Sequence, residues 1–160
     1  MVTSARGSAI LIGLLAFNAC IGQPDSMGLA YAQLTLENPR DPGLRPVVVR
    51  ALADTGSVYL CLPADVAAQL RLEENDRKVV YTADGRPHSC PYVGPVRVLC
   101  DNRSCFVGAV VLGDEVLLGA IPMEDMDLVM LPQEPKVVAN PRNPNFAAAL
   151  AKGLRFPSAH

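Results

Sequence analysis

Between residues 29 and 37 apolar and polar side chains alternate, with Ala32, Leu34 and Leu36 on one side and Gln33, Thr35 and Glu37 on the other. A period of two is that of a strand with one face on the core and one in water. Residues 38–43, Asn-Pro-Arg-Asp-Pro-Gly, are turn formers, and the β-branched run that follows at 46–53 predicts a second strand paired to the first as a hairpin. Residues 58–62 form an apolar run short enough for a buried strand. Pro63 then opens a short helix: Asp65 sits in its first turn, where a carboxylate suits the helix dipole, and Val66 and Leu70 share a face.

Strand-like segments return at 78–82, 96–100, 105–112 and 116–118, separated by turn signals at Asp84-Gly85, Asp101-Asn102 and Gly113-Asp114. Short strands at this spacing predict an all-β fold, an antiparallel sandwich or small closed barrel. A second short helix is expected after Pro122, where Glu124 and Asp125 gather at a start, and a third, 145–150, closes the chain. With 160 residues and no internal repeat, one domain is expected.

Composition narrows the function classes. Half the residues are hydrophobic, 19% are charged, and the formal net charge is −2. No Lys/Arg cluster is interleaved with aromatics, so the electrostatic footprint of a nucleic-acid binder is missing. The five cysteines, Cys20, Cys61, Cys90, Cys100 and Cys105, are odd in number and form no repeated C-x-x-C framework. Cys100 and Cys105 flank a predicted hairpin turn; reduced thiols are the plainer expectation, and a disulfide is the alternative if the chain is exported. A zinc site would have to recruit His88 and Cys90 beside them, in spacings that match structural zinc sites poorly. No metal and no cofactor are expected.

Residues 1–26 differ from the rest. Arg6 precedes an apolar run at 9–17, too short to span a bilayer but of the length of a signal-peptide core, and Cys20 follows a weak lipoprotein-like processing stretch. Two readings stand side by side: an export signal or lipid anchor in the cell envelope, or a spurious extension with translation starting at Met27 and a cytoplasmic product. A membrane partner follows only from the first.

The candidate chemistry lies in Asp54-Thr55-Gly56-Ser57, between the second strand and the next apolar run. Flanking strands can hold an aspartate rigidly there; Thr55 offers a hydroxyl to brace the loop, and Gly56 permits close backbone approach or a positive φ. Taken alone, Asp-Thr-Gly is also what an ordinary β-turn looks like. A second element changes the balance: residues 116–119, Val-Leu-Leu-Gly, are an apolar strand ending in Gly119.

Together these residues resemble the retropepsin-like aspartic proteases, in a bacterial branch. Residues 51–57 look like the catalytic loop, Leu117-Leu118-Gly119 like the hydrophobic-hydrophobic-glycine element packed against it, and Ala83, Asp84 and Gly85 like the tip of the flap that closes over substrate. The match runs from about residue 27 to 144, leaving 145–160 as a tail. The resemblance implies a retropepsin-like fold, one lobe of a symmetric homodimer, and an aspartic endopeptidase acting on a polypeptide without metal or organic cofactor. In that chemistry two carboxylates share a proton, and this chain has one Asp-Thr-Gly, so the resemblance makes Asp54 catalytic in a dyad with its counterpart in a second copy. Three departures qualify it. Pro87, Pro91 and Pro95 leave the far arm of the flap irregular; Ala120, Ile121 and Pro122 follow Gly119 where viral members carry a dimer-fastening Arg or Asn; and the only candidate for a terminal dimer strand is 136–139. The alternative function is a non-catalytic dimerising, peptide-binding module of the same fold.

Overall fold

Leu34 and Leu36 are fully buried, with Ala30 and Ala32 beside them, on one face of strand β1 (Ala30–Glu37). The computed structural model describes residues 28–131 and 133–151, so the predicted signal-like segment 1–26 lies outside the described residues. Strand β1 pairs antiparallel with β2 (Val47–Ala53) in a seven-residue register from Ala30↔Ala53 to Leu36↔Val47. The predicted first hairpin is thus present.

The remaining strands are β3 (Leu60–Leu62), β4 (Glu74–Tyr81), β5 (Pro87–Cys100), β6 (Arg103–Val111), β7 (Val116–Leu118), β8 (Leu128–Leu131) and β9 (Lys136–Ala139); the helices are α1 (Ala64–Gln69) and α2 (Ala120–Asp125). In lateral order the strands run β4-β5-β6-β3-β7-β2-β1-β9-β8, and β5 also pairs with β1. That extra pairing closes β5, β6, β3, β7, β2 and β1 into a six-stranded barrel. Glu37 and Arg97 are partners at the seam, and the Arg97 Nη1 lies 3.2 Å from Glu37 Oε2. The inward Leu34, Leu36, Leu60, Leu62, Val96, Val98 and Leu118 fill the interior. Each such side chain contributes about 1.5–3 kcal/mol through burial.

The fold is all-β with two short helices among the described residues, as expected, but the barrel is not purely antiparallel. Strand β7 lies parallel to β2 and antiparallel to β3, and β3 lies parallel to β6. The cause is topological: a strand from late in the chain is inserted between β2 and β3, which are nearly consecutive in sequence.

The expected irregular arm after residue 85 is instead a continuous 14-residue strand. Thr82 N donates to Arg86 O, so ladder alternation puts Tyr81↔Pro87 and Arg77↔Pro91 at non-hydrogen-bonded positions toward β4. The nitrogens of Pro87 and Pro91 point away from β4, and β6 begins to pair only at Tyr92, so neither proline removes a ladder bond. Pro95 falls inside a register shift between β5 and β6, the usual refuge for a strand proline.

Helix α2 begins at Ala120, two residues before the predicted start, and its acidic residues close it instead of opening it. Ala120 N and Ile121 N donate to Ser57 O at 2.8 Å and Val58 O at 3.0 Å, and Pro122 has no N–H to satisfy. The first-turn donors are capped by another segment of the chain, which a local reading of residues 122–128 does not contain.

The predicted closing helix at 145–150 is absent; the segment is irregular, with Phe146 82% and Leu150 94% exposed. Six residues with no buried apolar face do not sustain a helix. The tail is held by polar contacts: Asp127 accepts from Asn140 Nδ2, Asn143 Nδ2 and Ala148 N, and Arg103 Nη2 donates to Asn143 O. Among the described residues no helix is long and apolar enough to cross a membrane.

Candidate active site

Strands β2 and β3 do not touch, because β7 runs between them, pairing Ala53↔Leu118 on one side and Cys61↔Leu117 on the other. Neighbouring strands stand about 4.8 Å apart, so residues 54–59 must arch over roughly 10 Å. This arch carries Asp54-Thr55-Gly56-Ser57.

Backbone bonds pin it at both feet. Asp54 N donates to Leu118 O at 3.1 Å, Ser57 N to Asp54 O at 3.0 Å, and the start of α2 returns two bonds to Ser57 and Val58. Gly119 sits directly under the arch. A β-carbon there would lie 2.8 Å from Ser57 O and closer still to Tyr59 O, and the glycine itself is extended, at φ −80°. Its requirement is therefore one of space, not of backbone conformation.

Asp54 is half-buried as a residue, and its Oδ1, which accepts from Gly56 N at 2.9 Å, faces solvent. The residue-type arguments separate here. Gly56 serves close approach: a β-carbon would come within 3.1 Å of Asp54 Oδ1, and its φ is not positive. Thr55 is exposed, and among the described residues its hydroxyl braces nothing. The thiol of Cys61, behind the arch, lies 3.8 Å from Tyr59 O, to which it donates. Burial pushes the Cys61 thiol up, the nearby Ser57 hydroxyl works the other way, and the Asp54 charge raises it again.

Cys61 belongs to a small apolar cluster with Cys90 and Val110, against which Tyr59, Val80, Tyr92 and Leu117 pack. Cys90, Val80 and Tyr92 come from the β4–β5 hairpin, so one face of that hairpin rests on the strand leaving the arch. The hairpin ends in Ala83, Asp84 and Gly85, all exposed, with Gly85 at φ 76° and its N–H on Thr82 O at 2.8 Å. Asp84 accepts from the Thr82 hydroxyl and, at 3.1 Å, from Arg86 N, and these bonds hold its carboxyl below the ordinary range. It is a turn former, bonded within its own hairpin. Val79 and Tyr81, on the other side of β4, are strongly exposed.

The arch, Gly119 and one face of the β4–β5 hairpin are thus brought together, while the hydrogen bonds of the tip residues stay within their own hairpin. Among the described residues the thiols of Cys61, Cys90, Cys100 and Cys105 are free, and no three His, Cys, Asp or Glu side chains converge as metal ligands would. Sequence reasoning gave no site role to Tyr59, Cys61 or Tyr92, which pack together at the end of the arch. Tyr59 and Cys61 stood in a run read simply as buried strand, and nothing local links Tyr92 to Asp54. No protein-family model matches the chain, and no curated protein matches it closely enough to count as a relative.

Proposed function

We propose that the chain is one half of a retropepsin-like aspartic endopeptidase whose active site forms when two copies bring their Asp54 carboxylates together across a twofold axis. The observation that carries this reading is the half-buried Asp54 on an arch whose feet are tied to β7 and whose underside is filled by Gly119. A carboxylate held this way keeps its position while remaining reachable from outside the barrel. One such group per chain is insufficient for the chemistry, since a proton shared between two carboxyls close together is what keeps one acid and one base available at once, aspartic proteases being the standard instance.

In this mechanism the protonated carboxyl donates to the scissile carbonyl oxygen. The ionised one takes a proton from a water, whose oxygen attacks the carbonyl carbon. Collapse of the tetrahedral intermediate breaks the C–N bond, and the leaving nitrogen takes a proton from the dyad. The two titrations belong to the pair and not to either Asp54. Thr55, exposed and without an intrachain partner among the described residues, is available to bond across the axis, where an Arg or Asn after Gly119 is missing. The β4–β5 hairpin, with Val79 and Tyr81 bare on one side, suits contact with an extended polypeptide or with the second copy.

The test is Asp54→Asn in the full chain, assayed on an unstructured protein substrate. Cleavage should fall by about 10²–10⁴-fold, the range spanned by loss of a general acid or base. Equal cleavage by the variant ends the proposal.

A further inference from the structure

Arg103 is only 3% exposed, yet it makes no ion pair among the described residues. Its Nη2 donates to the carbonyl oxygen of Asn143, while its Nε and Nη1 are buried without a partner among those residues. A buried guanidinium normally faces a carboxylate and has its N–H groups bonded, because an unpaired charge and unmet donors away from water are both costly.

The missing carboxylate lies one residue away. Asp127, between α2 and β8, accepts at Oδ1 from Asn140 Nδ2 at 2.9 Å, and at Oδ2 from Asn143 Nδ2 at 2.6 Å and Ala148 N at 3.1 Å. Asn143 therefore touches both charges and stands between them, with its side-chain amide on Asp127 and its backbone carbonyl on Arg103. The segment that does this has no buried residue: Asn143 is half-buried, and residues 144–151 are all exposed. Its further ties are polar as well, Asn102 Nδ2 to Pro144 O and Asn140 N to Asp127 O, both at 2.9 Å.

A segment fastened by hydrogen bonds alone can lift without uncovering a core. Once Asn143 withdraws, the Arg103 guanidinium and the Asp127 carboxylate are left side by side. Charge-assisted bonds between them, roughly twice as strong as neutral ones, replace the neutral bonds that were lost. We propose that residues 140–151 form a strap with two states: a closed one in which Asn143 separates Arg103 from Asp127, and an open one in which these two side chains pair directly and the strap is released. The unpaired charge of the closed state favours opening, and the bonds from Asn140, Asn143 and Ala148 to Asp127 favour closing. Helix α2 links the strap to the arch, since Ala120 N and Ile121 N lie on Ser57 O and Val58 O and the helix ends at Asp125, just before Asp127. The two states themselves do not depend on any reaction at Asp54.

Amide hydrogen exchange in the full chain, followed by NMR at Asn143 and Ala148, reads the opening. In Arg103→Met the open state loses its ion pair and the closed state loses its unpaired charge, so exchange at both amides should slow about tenfold, the scale of one net hydrogen bond. Arg103→Lys keeps the charge and should stay near the wild-type rate. If Arg103 only anchors the strap through Asn143, both variants exchange faster than the wild type, and that result overturns the switch, as does an unchanged rate in Arg103→Met. Should Arg103→Met loosen the barrel, seen as faster exchange at Val96 and Val98, the wild type alone decides. There, relaxation dispersion at Arg103 Nε, Asn143 Nδ2 and Ala148 N should give one common exchange rate, because a single opening moves all three. No exchange, or three unrelated rates, overturns the two-state strap.

Discussion

A β-carbon on Gly119 would lie 2.3 Å from the carbonyl oxygen of Tyr59. The nearest atoms are backbone, on an arch already pinned by four hydrogen bonds to β7, α2 and itself, so there is no flexible end to swing away. Gly119→Ala should therefore lift the arch from β7, cost about 1–3 kcal/mol or more as an overpacked core does, and abolish cleavage even if the barrel survives. Gly43→Ala is the control, since only Asp41 Oδ1 approaches the added carbon, at 3.8 Å. Urea denaturation midpoints of the two variants check the contrast; equal midpoints would mean that the arch is not held by this contact.

Asp127 carries the tail, and its carboxyl is held below the ordinary value of 3.8 by hydrogen bonds from Asn140 and Asn143, then by Ala148 N and the nearby Arg103 charge. A carboxylate with a lowered folded-state pKa adds stability that is fully present above the unfolded value. That stability is lost as pH falls through the folded one. The window opens near pH 4 and lies below it. Asp127→Asn should thus be less stable than the wild type at pH 6, with the gap narrowing as pH falls below about 4, measured as thermal midpoints across that range. A gap that does not change with pH would contradict the charge-based account of the tail.

How far such contacts could be read from the chain depends on how local they are. The alternation at 29–37 and the β-branched run at 46–53 carry their own periodicity or propensity, and the structure returns them nearly residue for residue; 136–139, expected as a strand for a second copy, pairs with β8 and β1 of its own chain. Asp54 and Gly119 could be paired only through the resemblance to a known family, because what joins them is the insertion of β7 between β2 and β3, and side-chain periodicity says nothing about strand order. Pro87 and Pro91 misled for a related reason: a proline breaks a ladder only on its hydrogen-bonded side, and register decides which side that is. Strand β8 (Leu128–Leu131) went unseen behind an acidic helix signal that Asp127 ends, at φ 50°.

Cys100 and Cys105 are buried thiols, pushed by burial to about 11 and about 12 respectively. At pH 8 the thiolate fraction is then on the order of one in a thousand or less, and the thiolate is the reacting species. Nor can they bridge each other easily. Cys100 faces Arg103 and Cys105 faces Val98, a diagonal placement that puts α-carbons roughly 7–8 Å apart, beyond the usual reach of a disulfide. Iodoacetamide at pH 8 should label neither residue in the native protein and both in urea, with peptide mass spectrometry as the readout. Rapid native labelling would mean that this hairpin opens far more often than a core strand pair should.

The sharpest prediction concerns the requirement for two copies. If each active site draws one Asp54 from each chain, an Asp54→Asn chain that still dimerises must inactivate its wild-type partner. Equal amounts mixed and allowed to exchange leave about a quarter of the dimers wholly wild type, so activity per wild-type chain should fall to about half. Larger excesses of the variant should drive it toward zero. A site complete within one chain would show no such loss at any ratio. Dilution gives the companion measurement, because specific activity should fall as dimers dissociate, whereas a self-sufficient monomer would hold it constant. Sedimentation velocity on the same samples separates dissociation from unfolding. Constant specific activity from a species that sediments as a monomer would be incompatible with a shared proton between two copies of Asp54, whatever the local geometry of the arch.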